Sequence, residues 1–440
     1  MSLFQRVIFF SGLICLSQTE AAWAQLEFEG PPIEYSKAAP VDPVSQLQAK
    51  IDAGSVELQF EEKGGYLASV LEQLEIPQSS QMLVFSKTSL QLRRISPQRP
   101  RAIYFNDESY IGWVQGGDVI EISTVDPQLG AVFYSLSVDE DPKPTFLRDQ
   151  GQCITCHATS RTEGVPGHLM RSVFADRTGQ PHYGSGTYST TQSSPFEKRW
   201  GGWYVTGKHG DLRHMGNLIS QKNDRLQDLD CEVGANLDSL NNLVSTDPYL
   251  QPTSDIVPLL VLAHQLEMHN LLTRGNFEAR SATHYDGVMN RALERDEDYV
   301  SDSTTRRVSS IGDKILRCLL FADEVPLTSP VQGISTYEED FEALGIRDQE
   351  GRSLRDFDLE SRMFKYPCSY LIYSAAFDDL PVMMKKYVSE NLQTILKGDP
   401  SQDEFKNLSV TDRKNIYKIL QETKPGLLEA SPSEELSGTK

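Results

Sequence analysis

The 440-residue chain is poor in positive charge, with 42 Lys and Arg against 62 Asp and Glu, a formal net charge of −20. A field of that sign repels polyanions over most of the surface, which argues against nucleic acid and anionic membrane surfaces as partners. Cysteine is scarce at six residues, too few to staple a chain of this size, so the fold must rest on buried apolar cores. No apolar run approaches the roughly 20 residues that span a bilayer. No repeat of fixed length is present, which excludes a solenoid. Hydrophobic residues at 39% and charged residues at 24% describe an ordinary globular chain.

The N-terminus reads as an export signal. Arg6 precedes the apolar run Val7 to Leu16, and Ala22-Trp23-Ala24 is a small-x-small cleavage pattern before Gln25. The mature chain is therefore expected in an oxidising space, periplasmic or secreted, with no membrane span after cleavage. Five cysteines follow the cleavage site: Cys153, Cys156, Cys231, Cys318 and Cys368. A Cys318–Cys368 disulfide with Cys231 free is one pairing among several that the spacing allows.

The texture of the sequence changes twice along the chain. Residues 25–60 carry four prolines and read as an extended arm, with a short helix from Val44 to Ala53. Residues 61–140 form a β-rich portion after a helix at Tyr66 to Leu74. Its apolar runs start at Met82, Ala102, Tyr110, Val119 and Ala131 and are separated by turn signals such as Gly116-Gly117-Asp118, which predicts an antiparallel meander or small sandwich. Residues 221–424 show apolar positions at helical intervals over 255–272, 288–294, 308–321, 362–373, 382–396 and 412–422, and 425–440 read as a loose tail. The expected class is α+β.

Between these parts, residues 141–220 hold the chemistry. Positions 151–215 contain five of the eight histidines (157, 168, 182, 209 and 214), ten of the thirty glycines, and seven basic against four acidic residues. That local excess of +3 in a chain of −20 marks a place where something anionic rests. At its start lies Gly151-Gln152-Cys153-Ile154-Thr155-Cys156-His157. In C-x-x-C-H, thiols three apart on one helical turn can both add to the vinyl groups of a haem, and the next imidazole can ligate its iron. Composition alone would place the pattern in roughly one or two chains in a thousand. A thioredoxin-like dithiol and a structural zinc site compete. The first normally opens a helix after a βαβ strand, whereas this motif follows the turn-rich Asp139 to Pro144, and the second would want another closely spaced Cys/His pair.

The motif resembles the attachment site of c-type cytochromes. Four longer strings, Tyr104 to Trp113, Asp126 to Tyr134, Gly164-Val-Pro-Gly-His168 and Trp200 to Gly210, are similar to those of exported, functionally unassigned bacterial single-haem proteins, over roughly residues 60–380. The resemblance implies one covalent haem c, with Cys153 and Cys156 carrying the thioether bonds and His157 as the proximal ligand. It also implies electron transfer with a redox partner protein, and says little about any reaction.

A second axial ligand would decide the chemistry, because Met raises the potential, His lowers it and an open position binds small molecules. The glycine-punctuated loop Lys208 to Asn217 offers His214 first, then Met215 and His209. His168 is a further candidate, and an open site the remaining alternative. Two readings follow. One is an electron carrier with both axial positions filled. The other is a haem-dependent oxidoreductase or small-ligand sensor with an open iron, favoured by the bulk of protein beyond the haem segment. A module that merely contains the string would be colourless. Trp200, Trp203 and Tyr204 read as core, Arg213 as a propionate or backbone contact, His264 and Met268 as a core face, and Asn407-Leu408-Ser409 as a capping turn rather than a glycosylation sequon. Oligomeric state leaves no mark in the sequence.

Overall fold

The structure, a computed structural model, describes residues 26–149, 151–398 and 403–428. The expected signal, 1–24, and residues 429–440 of the expected tail lie outside the described residues. The class is α+β: a β-rich N-terminal region followed by a mostly helical C-terminal region.

The N-terminal segment 26–60 is bound to the sheet rather than extended away from it. After a 3₁₀ turn at Glu27–Glu29, the Asp42 carboxylate caps helix α1 (Pro43–Asp52) by accepting from Val44 and Ser45 N–H, and Pro43 sits in the first turn, where its missing N–H costs nothing. Phe28, Ile33, Tyr35, Val44 and Leu47 are buried, and the Tyr35 hydroxyl donates to the Ala131 carbonyl at 2.7 Å. The prolines shape this strap, while its apolar side chains anchor it. Helix α2 (Leu67–Gln73) packs in the same layer.

The five predicted apolar runs are five strands: β1 (Met82–Val84), β2 (Arg101–Phe105), β3 (Ser109–Val114), β4 (Val119–Asp126) and β5 (Gly130–Ser137). A short β6 (Leu147–Arg148) completes a six-stranded antiparallel meander in sequence order. Turn residues set this topology. Asn106 Oδ1 accepts from Glu108 and Ser109 N–H between β2 and β3, and Asp126 Oδ1 accepts from Gln128 and Leu129 N–H between β4 and β5. One face carries Leu83, Ala102, Tyr104, Ile111, Ile120 and Ile122 onto the N-terminal layer, and the other turns Met82, Phe105, Tyr110 and Val125 to the helical core.

The haem-motif segment is mostly irregular, with the four-residue helix α3 (Ile154–His157) and a two-stranded ribbon of β7 (Arg171–Val173) and β8 (Thr187–Ser189). Beyond it, α4 (Ile256–Ala292) runs 37 residues without interruption. Its apolar rhythm lapses after 272 because Asn276 and Arg280 replace apolar packing with bonds to the carbonyls of Pro127, Asp379, Gln128 and Pro32. Helix α5 (Asp302–Leu319) closes on α4 where Gly275 leaves room: a Cβ there would lie 2.7 Å from Ile315 Cδ1. Helices α6 (Tyr337–Ala343), α7 (Ala375–Asp378), α8 (Val382–Lys397) and α9 (Val410–Thr423) follow.

The predicted helix at 362–373 is absent. Phe357 and Phe364 form a bridge instead, Pro367 interrupts the run, and only a 3₁₀ turn at Tyr370–Tyr373 remains. Cys318 and Cys368 are buried, unpaired thiols, and Cys231 is also free, so the Cys318–Cys368 pairing is not formed. Burial pushes both core thiols up. Ser409 caps α9 in a reciprocal box with Asp412, and Asn407 donates inward to the Leu320 and Phe321 carbonyls. No described helix is long and apolar enough to cross a membrane.

Candidate haem-attachment site

The motif turns on two anchors. Asp149 Oδ2 accepts from Gly151 N–H at 2.8 Å and Cys153 N–H at 3.0 Å, with Gly151 at φ +111° in a region that favours glycine. The next turn is helical: the Cys153 carbonyl accepts from Cys156 N–H at 3.0 Å and His157 N–H at 2.9 Å. Ile154 is the buried peg that holds the turn on the sheet-side core. Cys153 is half-buried and Cys156 is exposed.

Burial pushes the Cys153 thiol up to about 12, and the Asp149 carboxylate adds to the effect. That direction opposes dithiol redox chemistry, which needs a stabilised thiolate. The strand before the motif is the two-residue edge of an antiparallel sheet and not part of a βαβ unit. Among the described residues, no three His, Cys, Asp or Glu side chains converge in a way that could hold a metal ion, which leaves the zinc reading without a ligand set there.

His157 is oriented as a metal-ligating imidazole usually is. Its Nδ1 donates to the Gly167 carbonyl at 3.0 Å, which assigns the lone pair to Nε2, and no described residue hydrogen-bonds Nε2. Burial holds its pKa below the ordinary value, partly opposed by the Gly167 bond, so the ring stays neutral and able to donate a lone pair. The return bond, Gly167 N–H to the His157 carbonyl at 2.8 Å, locks the two segments together.

Gly167 is itself clamped from α4. The Asn270 side chain bonds both polar backbone atoms of His168 at 2.8 Å, N–H through Oδ1 and carbonyl through Nδ2. A Cβ on Gly167 would lie 2.2 Å from Asn270 Oδ1. Asn270 therefore positions the carbonyl that positions His157. Sequence reasoning missed it. The available signal was a run of polar residues, His264, Gln265, His269 and Asn270, within an otherwise apolar helical stretch.

Around His157 the rings are continuous. Phe133 of β5 lies 4.9 Å from the His157 ring and 6.1 Å from His168, and His168 lies 4.3 Å from Tyr110 of β3. His168 Nε2 bonds Ser123 Oγ at 2.7 Å while its buried Nδ1 has no partner. Tyr110 accepts from Gln265 Nε2 and donates to His269 Nδ1 at 2.8 Å, which leaves the buried Nε2–H of His269 without a partner. Burial depresses both, His269 to about 3 and His168 well below its usual value, where His269 and His157 add repulsion. A cavity of about 100 Å³ beside His168 is lined by Arg161, Glu267, Asn270 and Thr190. Burial pushes its Glu267 carboxyl up to about 7.

On the same sheet face as Tyr110, Ser123 and Phe133, the register aligns Ile103, Gly112, Glu121, Ser135 and Leu147 in a row across five strands. The charge of Glu121 is felt at both Cys153 and His157. Burial raises Glu121, but Arg101 at 2.6 Å and bonds from Ser89 and Gln91 outweigh it, so the carboxylate stays ionised. Leu147, on the edge strand β6, is 63% exposed.

His214 is not brought to the motif. It sits in a separate pair, where its Nδ1 accepts from Gly216 N–H at 3.0 Å and its Nε2 faces His209 Nε2 at 3.3 Å. His209 Nδ1 donates to the Leu212 carbonyl, and its Nε2 also accepts from Asn236 N–H, so the proton between the two rings belongs to His214. Neither nitrogen of His214 keeps a free lone pair. The loop folds this way because Gly207, Gly210 and Gly216 let it turn against Ile256, Ser329 and Val205, away from α3. Met215 is buried with its sulfur accepting from Ser172 Oγ at 3.7 Å. Of the four residues considered as second ligands, only His168 is a neighbour of His157.

Three of the seven local cations are committed. Arg213 pairs with Glu232 and donates to the Gly210 and Leu212 carbonyls, Lys208 pairs with Asp238, and Arg199 is buried against Phe196 with bonds to backbone carbonyls. Arg161, in the 3₁₀ turn Ser160–Thr162 that follows α3, has no ion pair among the described residues, and neither do Arg171, Arg177 and Lys198. Trp200, Trp203 and Tyr204 are core, as are His264 and Met268, and His264 spends both nitrogens on Gln192 and Ser369.

The donor set fits covalent haem: two thiols three apart with one exposed, and an imidazole whose Nε2 lone pair is free. No family model, no curated protein and no solved structure matches the chain.

Proposed function

We propose that the chain is an exported single-haem c-type protein that transfers electrons to a partner protein, with Cys153 and Cys156 as thioether attachment points and His157 as the proximal ligand. One observation carries the reading: His157 Nδ1 is committed to the Gly167 carbonyl, so Nε2 is left bare beside a half-buried and an exposed thiol. When bound, haem supplies one-electron iron chemistry. The chain's own residues orient the imidazole through Gly167 and Asn270, exclude water on the Phe133 side and keep His157 neutral.

The internal bonding of His214 favours a second reading, in which the iron's other face is open and the protein is a haem oxidoreductase or small-ligand sensor. Protein matured with the attachment machinery should give a haem-stained band on a denaturing gel, lost on replacing Cys153 and Cys156 with Ala. An unmodified polypeptide mass would overturn the haem reading. Ferric low-spin spectra indifferent to cyanide would support the carrier, and high-spin iron that binds cyanide the open site.

A further inference from the structure

A second cavity, of about 480 Å³, lies between the N-terminal layer and α6, away from the thiols. Its walls are apolar, from Leu71, Ile76, Phe105, Phe341 and the ring of Tyr337. Phe105 stacks on Tyr110 at 6.4 Å and meets Tyr337 at 5.8 Å, so the cavity stands at the far end of the ring run that begins at His157.

Two polar groups in this wall lack partners. Arg355 is 7% exposed, with its guanidinium held over Phe341 and Tyr370 at 4.5 and 4.4 Å and its Nη2 paired with Asp107. Its buried Nη1 has no hydrogen bond. The Tyr337 hydroxyl, on a residue 3% exposed, is bonded by no described residue. Arg355 Nη1 is sealed within protein, whereas the Tyr337 hydroxyl is not closed off, so between these apolar walls the Tyr337 hydroxyl is the donor open to an acceptor. The rim excludes one class of acceptor. Glu72, Glu75, Asp107 and Asp340 surround the mouth, and Arg355 is already neutralised by Asp107, so an anion meets net repulsion.

We propose that this cavity binds an uncharged ring compound carrying a carbonyl or hydroxyl oxygen, with the ring between the apolar walls and the oxygen accepting from the Tyr337 hydroxyl. The proposal does not depend on haem, and apoprotein serves for the test.

Isothermal titration of the full mature chain with 1-tetralone, tetralin and 1-naphthoate separates the contributions. 1-Tetralone should bind, with tetralin and 1-naphthoate each at least about tenfold weaker, the former lacking the acceptor and the latter repelled. Tyr337→Phe, which keeps the ring, should weaken 1-tetralone about tenfold and leave tetralin unchanged. Ala343→Trp, at an exposed lining position, should block both ligands. No binding of 1-tetralone, or equal affinity after Tyr337→Phe and Ala343→Trp, would overturn the assignment.

Discussion

The clamp from Asn270 to the Gly167 peptide can be tested by adding one methyl group. In Gly167→Ala the new Cβ would lie 2.2 Å from Asn270 Oδ1, 2.9 Å from its Cγ and 3.0 Å from Thr162 Cβ, so the amide must leave. Its departure breaks two bonds to His168: the carbonyl loses one worth about 1 kcal/mol, and the buried N–H is left unsatisfied at about 1–3 kcal/mol. We expect a loss of about 2–4 kcal/mol in urea unfolding, with the denaturant slope unchanged. Asn270→Ala breaks the same two bonds and should cost a similar amount. In that background Gly167→Ala has only Thr162 left to meet, and its cost should fall to about 1 kcal/mol. The double-mutant cycle should therefore show a coupling of about 2 kcal/mol. Additivity within about 0.5 kcal/mol would refute the clamp. Nitrogen-15 NMR of His157 supplies an independent readout, because loss of the Nδ1–Gly167 bond should let the other tautomer appear in the single mutant.

Three further outcomes follow from the same geometry. His214, His264 and His269 are held near 3 against an ordinary 6.5, so the unfolded chain takes up protons that the folded chain refuses, and stability falls as pH drops below about 6.5. Glu267 and Glu324, raised to about 7, act oppositely down to about 4.5, so the urea midpoint should change slowly between pH 7 and 5 and fall steeply below 4.5. A steep loss already complete at pH 5.5 would contradict this balance. Alkylation in denaturant should count three thiols in matured protein and five in mature-length protein made without attachment, with Cys156 modified fastest in the native unattached chain. His214→Gln should lower stability while leaving the visible spectrum of the holoprotein unchanged, and a spin-state change would restore His214 as a ligand.

How much of this was legible depends on whether the signal is local. The five strands were readable because β-branched and aromatic runs end at Asn106-Asp107, Gly116-Gly117 and Asp126-Pro127, whose turn chemistry acts over a few residues. The motif was readable for the same reason. The unbroken course of α4 was not, since polar residues at 276 and 280 look like helix ends until the loops that receive their bonds are known. The helix expected at 362–373 failed because an apolar rhythm outweighed the prohibition carried by Pro367. Most telling is His214. Its sequence neighbours fit a distal ligand, but the two partners that consume its nitrogens are set by the turns at three glycines, and such partnerships leave no trace in spacing.

Helix α4 belongs to both cores at once, giving Phe277 to the packing under Phe28 and most of its other buried apolar residues to the C-terminal helices. The change in residue texture near position 220 is thus a change of material and not a seam. A fragment cut there would expose the face of Tyr110 and Phe105 and take the Asn270 amide away from the Gly167 peptide. Whatever the motif carries, its alignment is guaranteed by a helix that starts about a hundred residues downstream, which ties maturation of the site to completion of the chain.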